Sequence, residues 1–159
     1  MKKIFSISFI YFLTLGFIYY SNAQTISDQQ NAKIEKEIDS VFIIEVKAAE
    51  SLDTEKLTEA VDDRYNAGFI VNGLYFERFD SLMNNFKTRS RGVDNQHITI
   101  KSKKITVLSE NIALLTASGD TKVNVSSGNP FMVKFFWSFV YEKLNGKWKV
   151  IQSHQSNIR

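Results

Sequence analysis

The sequence predicts a segregated α+β fold, with helices first and an antiparallel sheet last. Three observations carry that expectation. Apolar residues recur at helical spacing early in the chain and alternate at strand spacing late in it. Two Asn-Gly dipeptides, Asn72-Gly73 and Asn145-Gly146, each lie between β-prone runs, where they supply the two left-handed positions of a tight hairpin turn. The order is helices, a hairpin, a helix and four consecutive strands, without the strand–helix alternation that builds a parallel sheet.

Residues 1–23 stand apart from the single domain expected over residues 24–159. Lys2-Lys3 make a positive start, residues 4–20 are almost wholly apolar, and Ser21-Asn22-Ala23 closes the run with small residues. This is the layout of a secretory signal cut between Ala23 and Gln24, which implies an exported protein, periplasmic or secreted, with no stable membrane anchor after cleavage. An uncleaved anchor is the alternative, since the apolar run is near the lower limit for a span. With no cysteine in the chain, neither a lipid anchor nor a disulfide is available, and the fold must rely on packing. Cleavage lowers the formal charge from +3 to +1, because it removes Lys2 and Lys3 and no acid. Nothing in that balance points to nucleic acid or an anionic membrane as partner.

Ser27-Asp28-Gln29-Gln30 fits a capping box. From there to Leu52, Ile34, Ile38, Val41, Phe42, Ala48, Ala49 and Leu52 share one apolar arc of a helix. Glu45 falls near the centre of that arc. Asp53 can cap a second, shorter helix carrying Leu57, Ala60 and Val61. Residues 69–76 form the first candidate hairpin. Phe79, Leu82, Met83 and Phe86 follow at helical spacing, with Gly92 as a stop. From His97 onward the chain turns to strands. Ile98 and Ile100 alternate on one parity and Ile105 and Val107 on the other, which predicts a bulge or bend over residues 101–104. Glu110-Asn111 turns that strand into Ile112–Val125.

Residues 130–156 are read as two long strands about Asn145-Gly146. Counting outward from a two-residue loop sets Glu142 against Lys149, Val140 against Ile151 and Ser138 against Ser153. The face to be covered by helices then carries Phe131, Val133, Phe135, Trp137, Phe139 and Tyr141, matched by Trp148, Val150, Gln152 and His154. The opposite face carries Met132, Phe136, Val140 and Ile151 among Lys134, Ser138, Glu142 and Lys149. Such a half-apolar stripe predicts a homodimer through the outer sheet face.

Two groups stand out as candidate catalytic residues, Glu45 and His154. A carboxylate on an apolar face raises its pKa, as a general acid or base requires, or finds a partner in Arg64, a histidine or a tyrosine. If the first helix packs on the aromatic sheet face, Glu45 and His154 enter one layer and couple electrostatically. Trp137, Phe135, Phe139, Tyr141 and Gln152 are the candidate ligand-pocket residues; the aromatic ones serve equally as core. Two separated histidines and no cysteine leave no metal-ligand spacing, and no Gly-rich phosphate loop follows a strand, so neither a metal nor a cofactor is expected.

The chain resembles the nuclear transport factor 2-like superfamily, in particular its SnoaL-like branch. The resemblance rests on the long first helix followed by Leu52-Asp53, on FIVNG at residues 69–73, on VLSENIALLTASG at residues 107–119, and on the ending NGKWKVIQSHQS. It implies a cone, in which a strongly curved, mostly antiparallel sheet wraps around three N-terminal helices and leaves a pocket at the wide end. Members of the superfamily include isomerases, cyclases, dehydratases and non-catalytic binding or assembly domains, so fold alone does not settle function. The isomerase-like members use a pocket Asp and Tyr that no motif places here. The reading that follows is an exported domain binding an apolar small molecule. The alternatives are a cofactor-free acid–base enzyme using Glu45 and His154, and an assembly module.

Overall fold

The computed structural model describes residues 26–159, so the signal expected over residues 1–23 lies outside the described residues. α1 (Asp28–Glu50) begins where the Ser27 hydroxyl, as N-cap, accepts from the Gln30 amide at 3.2 Å. It buries Ile34, Ile38, Phe42 and Ala48, four members of the apolar arc. Leu52, at φ +57°, takes the left-handed conformation that turns the chain out of the helix. α2 (Thr54–Glu59) follows directly, with the Asp53 carboxylate accepting from the Lys56 amide at 3.0 Å.

β1 (Phe69–Val71) and β2 (Leu74–Phe76) form the short hairpin about Asn72 and Gly73, both at positive φ. α3 (Phe79–Arg89) buries Phe79, Leu82 and Met83, and the Phe79 ring meets Phe69 edge-on at 5.1 Å. Four long strands complete the chain: β3 (Val93–Ser109), β4 (Ile112–Val125), β5 (Phe131–Leu144) and β6 (Lys147–Ile158). The sheet is open, in the order β2-β1-β6-β5-β4-β3, antiparallel throughout except for the parallel β1–β6 pair. Its concave face holds the helices, and the core is built from Ile38, Phe42, Phe69, Leu115, Phe135 and Tyr141, all nearly or fully buried. This is the α+β cone that the sequence led us to expect.

The bend in β3 falls where the parity switch placed it. The register against β4 slips between Ile100 and Ser102, leaving Lys101 as the extra residue. Opposite Ile100 sits Gly119, and a Cβ there would come within 1.9 Å of the Thr99 carbonyl oxygen and 2.8 Å of the Phe135 ring. The sheet can close over its own core at this point because residue 119 has no side chain.

The terminal hairpin departs from the even count. Its loop is Asn145-Gly146, and Glu142 faces Lys149 as expected. One step further the ladder slips: Tyr141 pairs with Val150 but Val140 pairs with Gln152, so Ile151 is bulged out. Beyond the bulge every β6 residue is displaced by one position, and a displacement of one reverses which face each side chain takes. Ser138 therefore meets His154, not Ser153, and the interior set of β6 is Trp148, Val150, Ser153, Gln155 and Asn157.

Candidate functional site

Between the helices and the concave sheet face lies a cavity of about 540 Å³, within the size range of small-molecule sites. Phe42, Val46 and Ala49 of α1 and Leu82, Met83 and Phe86 of α3 line its helical side, while Trp137 and Phe139 of β5 line its sheet side. One end is closed, where Ala113, Leu115 and Tyr141 are all fully buried. The other end lies near Phe131, whose ring carries the Arg159 guanidinium at 4.2 Å from its centroid, with Arg89 and Arg159 both lining the cavity.

Glu45 is among the lining residues, one helical turn beyond Phe42. The Tyr141 hydroxyl donates to its Oε2 at 2.6 Å, whereas its Oε1 is closed to bulk water and has no hydrogen-bond partner among the described residues. Burial pushes the carboxyl up to about 8, against smaller opposing effects of the Tyr141 hydrogen bond and the Lys149 charge. Burial also carries the Tyr141 phenol well above its ordinary range, with the Glu45 charge adding to the effect. Glu37, two turns earlier on α1, shows the contrast. Its Oε2 accepts from the Lys143 ammonium at 2.7 Å and the Trp148 indole at 2.8 Å, and these donors hold its carboxyl below the usual range. Of the partners foreseen for Glu45, the tyrosine is the one present.

The other sequence candidates divide. Trp137 and Phe139 line the cavity, and Phe135 sits fully buried behind Trp137, stacked on it at 3.9 Å between ring centroids. Tyr141 is inside but spends its hydroxyl on Glu45. His154 and Gln152 are corrections, both caused by the Ile151 bulge. His154 is exposed on the outer sheet face, in a hollow with Ser102, Thr116, Ser118, Ser138 and Ser156, and the sheet separates it from Glu45. Gln152 pairs with Val140 and does not line the cavity. The expected Glu45–His154 coupling is therefore not formed, and the acid–base pair proposed from the sequence is not assembled.

Sequence reasoning missed a polar row along β6. Ser153, Gln155 and Asn157 all face the cavity. The Gln155 amide donates to the Ser153 hydroxyl at 3.3 Å, and the Trp137 indole donates to Asn157 Oδ1 at 3.3 Å. Asn72, read only as a turn residue, also lines the cavity and accepts from the Asn157 backbone amide at 2.7 Å. Gln96 of β3 donates to the Ala49 carbonyl at 2.7 Å across the helix–sheet gap. The cavity is thus mostly apolar, with a tyrosine-bonded carboxyl towards its closed end and amide and hydroxyl groups along one wall. That arrangement can orient a ligand by a few hydrogen bonds while burying its apolar body. Among the described residues no group of three or more His, Cys, Asp and Glu could hold a metal ion, and no helix is long and apolar enough to cross a membrane.

A family model described as the calcium/calmodulin dependent protein kinase II association domain matches residues 34–159. Among solved structures, a nuclear transport factor 2-like superfamily protein from Salmonella enterica is similar, with a TM-score of 0.71 at 15% identity over 80% of this chain and 93% of that one. The association domain of the Caenorhabditis elegans kinase gives 0.67 at 17% identity over 81% and 99%. A hexachlorocyclohexane dehydrochlorinase of LinA type from Novosphingobium barchaimii gives 0.68 at 13% identity over 82% and 90%. These likenesses establish the nuclear transport factor 2-like fold. No match was found among the curated proteins.

Proposed function

This chain belongs to the calcium/calmodulin dependent protein kinase II association domain family, and we propose that it is a small-molecule binding domain whose ligand occupies the cone's cavity. The observation that carries the reading is the cavity itself: about 540 Å³ of space between helices and sheet, lined by aromatic and aliphatic groups and provided with a few polar ones. Protein interiors are ordinarily packed without voids of this size. The lining supports an apolar ligand with limited hydrogen-bonding capacity. Likeness to a dehydrochlorinase shows the fold alone.

The test is occupancy blocked from within. Ala49 lines the cavity from α1, and Ala49→Trp would fill part of it. An environment-sensitive dye such as 1-anilinonaphthalene-8-sulfonate is expected to bind the native protein with enhanced emission and to lose at least tenfold in affinity in Ala49→Trp. Equal dye binding by the two proteins, with both folded by circular dichroism, would place the dye elsewhere and remove the support for the cavity reading.

A second role, self-association, is supported by the family's description and by the outer sheet face. Met132 and Phe136 are 55% and 52% exposed there, two large apolar side chains on one face, as at surfaces that pair. Phe136 also borders the hollow that holds His154 and Ser138. Sedimentation at micromolar concentration is expected to give a dimer, and Phe136→Lys is expected to shift it to monomer by desolvating a charge at the contact. A native monomer, or a dimer indifferent to this substitution, would rule the outer face out.

A further inference from the structure

The charge distribution of the cavity says more about its ligand than its size does. Towards the closed end, Glu45 lines the cavity, and its buried Oε1 has no donor to meet it among the described residues, although buried acceptors are ordinarily satisfied. No side-chain cation among those residues is bonded to this carboxyl: Lys149 of β6, which acts on it electrostatically, donates its ammonium to the Glu59 carbonyl oxygen instead. Tyr141 of β5 is already committed to Oε2. Aromatic rings line the same cavity. Phe139 lies with its ring 6.2 Å from Tyr141, 6.0 Å from Phe42 and 6.2 Å from Trp137, and all of these except Tyr141 line the same cavity as Glu45. An uncompensated carboxylate among ring faces is the chemistry that holds an ammonium group, by ion pairing and by attraction to the ring quadrupoles. The guanidinium groups Arg89 and Arg159 line the cavity as well, with Arg159 on Phe131 at the other end of β5 from Tyr141. They would repel a cation there and so fix its orientation.

Resting on the ligand-binding reading above, we propose that the Glu45 end of the cavity is a subsite for the protonated amine of a ligand with an apolar body. The ammonium pairs with the Glu45 carboxylate on the side of Phe42 and Phe139, and the body extends past Trp137 towards α3. In the free protein the carboxyl is largely protonated at neutral pH. Docking an ammonium therefore expels the Glu45 proton to solvent, and the carboxylate replaces it with the ligand's charge.

The probes are 4-phenylbutylamine and its neutral counterpart 4-phenylbutan-1-ol, titrated calorimetrically into the full domain in two buffers of different ionisation enthalpy. The amine is expected to bind at least tenfold tighter than the alcohol at pH 8, and its binding at pH 7 to release close to one proton per site. Glu45→Gln is expected to remove the amine's advantage and leave the alcohol unaffected. Should that variant fail to fold, the proton count on the native protein still decides. An alcohol that binds as tightly as the amine, with no proton released, would overturn the amine subsite and point to a neutral hydrogen-bonding ligand. Dye binding that is lost in Ala49→Trp, with neither probe bound, would also overturn it while leaving the cavity reading intact. Dye binding indifferent to Ala49→Trp would instead remove the reading on which the subsite rests.

Discussion

Glu45→Gln is expected to stabilise the domain at pH 8 by about 2–5 kcal/mol relative to its effect at pH 5. The folded-state pKa of Glu45, about 8, lies above the value near 4.5 of an unburied glutamate. Between those two values the folded chain keeps a proton that the unfolded chain has released. Raising the pH through that window therefore favours unfolding, by up to about 1.4 kcal/mol per pH unit. Below it both states are protonated and the group contributes no pH dependence; above it the full cost of a buried charge is present. Glutamine fills the same space and cannot ionise, so it removes the slope. Denaturant unfolding of both proteins at pH 5, 6.5 and 8 measures the effect. Parallel stability curves would mean that the carboxyl is solvated in the folded state. The native protein keeps this costly group beside a cavity, which is where a ligand can offset it.

Gly119→Ala is expected to destabilise by about 3 kcal/mol or more, or to abolish folding, because the new methyl would overlap a backbone oxygen that cannot rotate away. The obstacle is the Thr99 carbonyl at 1.9 Å, with the Phe135 ring closing the other side. Gly73→Ala makes the control. Gly73 has φ +79° in the hairpin turn, but a methyl added there would meet nothing within 4 Å, so its cost is backbone strain alone, about 1–2 kcal/mol. Thermal and chemical unfolding should separate the two variants clearly. If Gly119→Ala were as mild as Gly73→Ala, β3 and β4 could not approach as closely as the sheet's curvature requires.

Where local chemistry decides a feature, the sequence was sufficient. Ser27 and Asp53 cap helices because their side chains reach amides three residues on, and both Asn-Gly turns occur because few other dipeptides accept two left-handed residues. The bulge at Lys101 was legible because isoleucine and valine on either side of it vote for opposite parities. The bulge at Ile151 was not, for a definite reason. Past it the chain reads Gln152, Ser153, His154, Gln155 and Ser156, all polar, so hydropathy cannot say which alternate set faces inward. Counting from the turn assumed an unbroken ladder, and that single slip moved His154 out of the interior and brought Ser153, Gln155 and Asn157 into it. The parallel pairing of β1 with β6 was equally invisible, since it joins residues more than eighty positions apart by backbone bonds with no side-chain signature. Glu45 was found because it violates the pattern of its own helix, a signal that needs no knowledge of the partner strand.

The most direct test of Glu45 as the uncompensated acid of an open cavity is its own titration. Carbon-13 NMR of the glutamate side-chain carboxyls, with the Glu45 resonance assigned by its loss in Glu45→Gln, follows that one group through pH 4 to 10. A midpoint near 8 is expected in the free protein, with no inflection near 4.5. A midpoint near 4.5 would place the carboxyl in water or beside a cation, and would contradict both the buried acid and the subsite built on it.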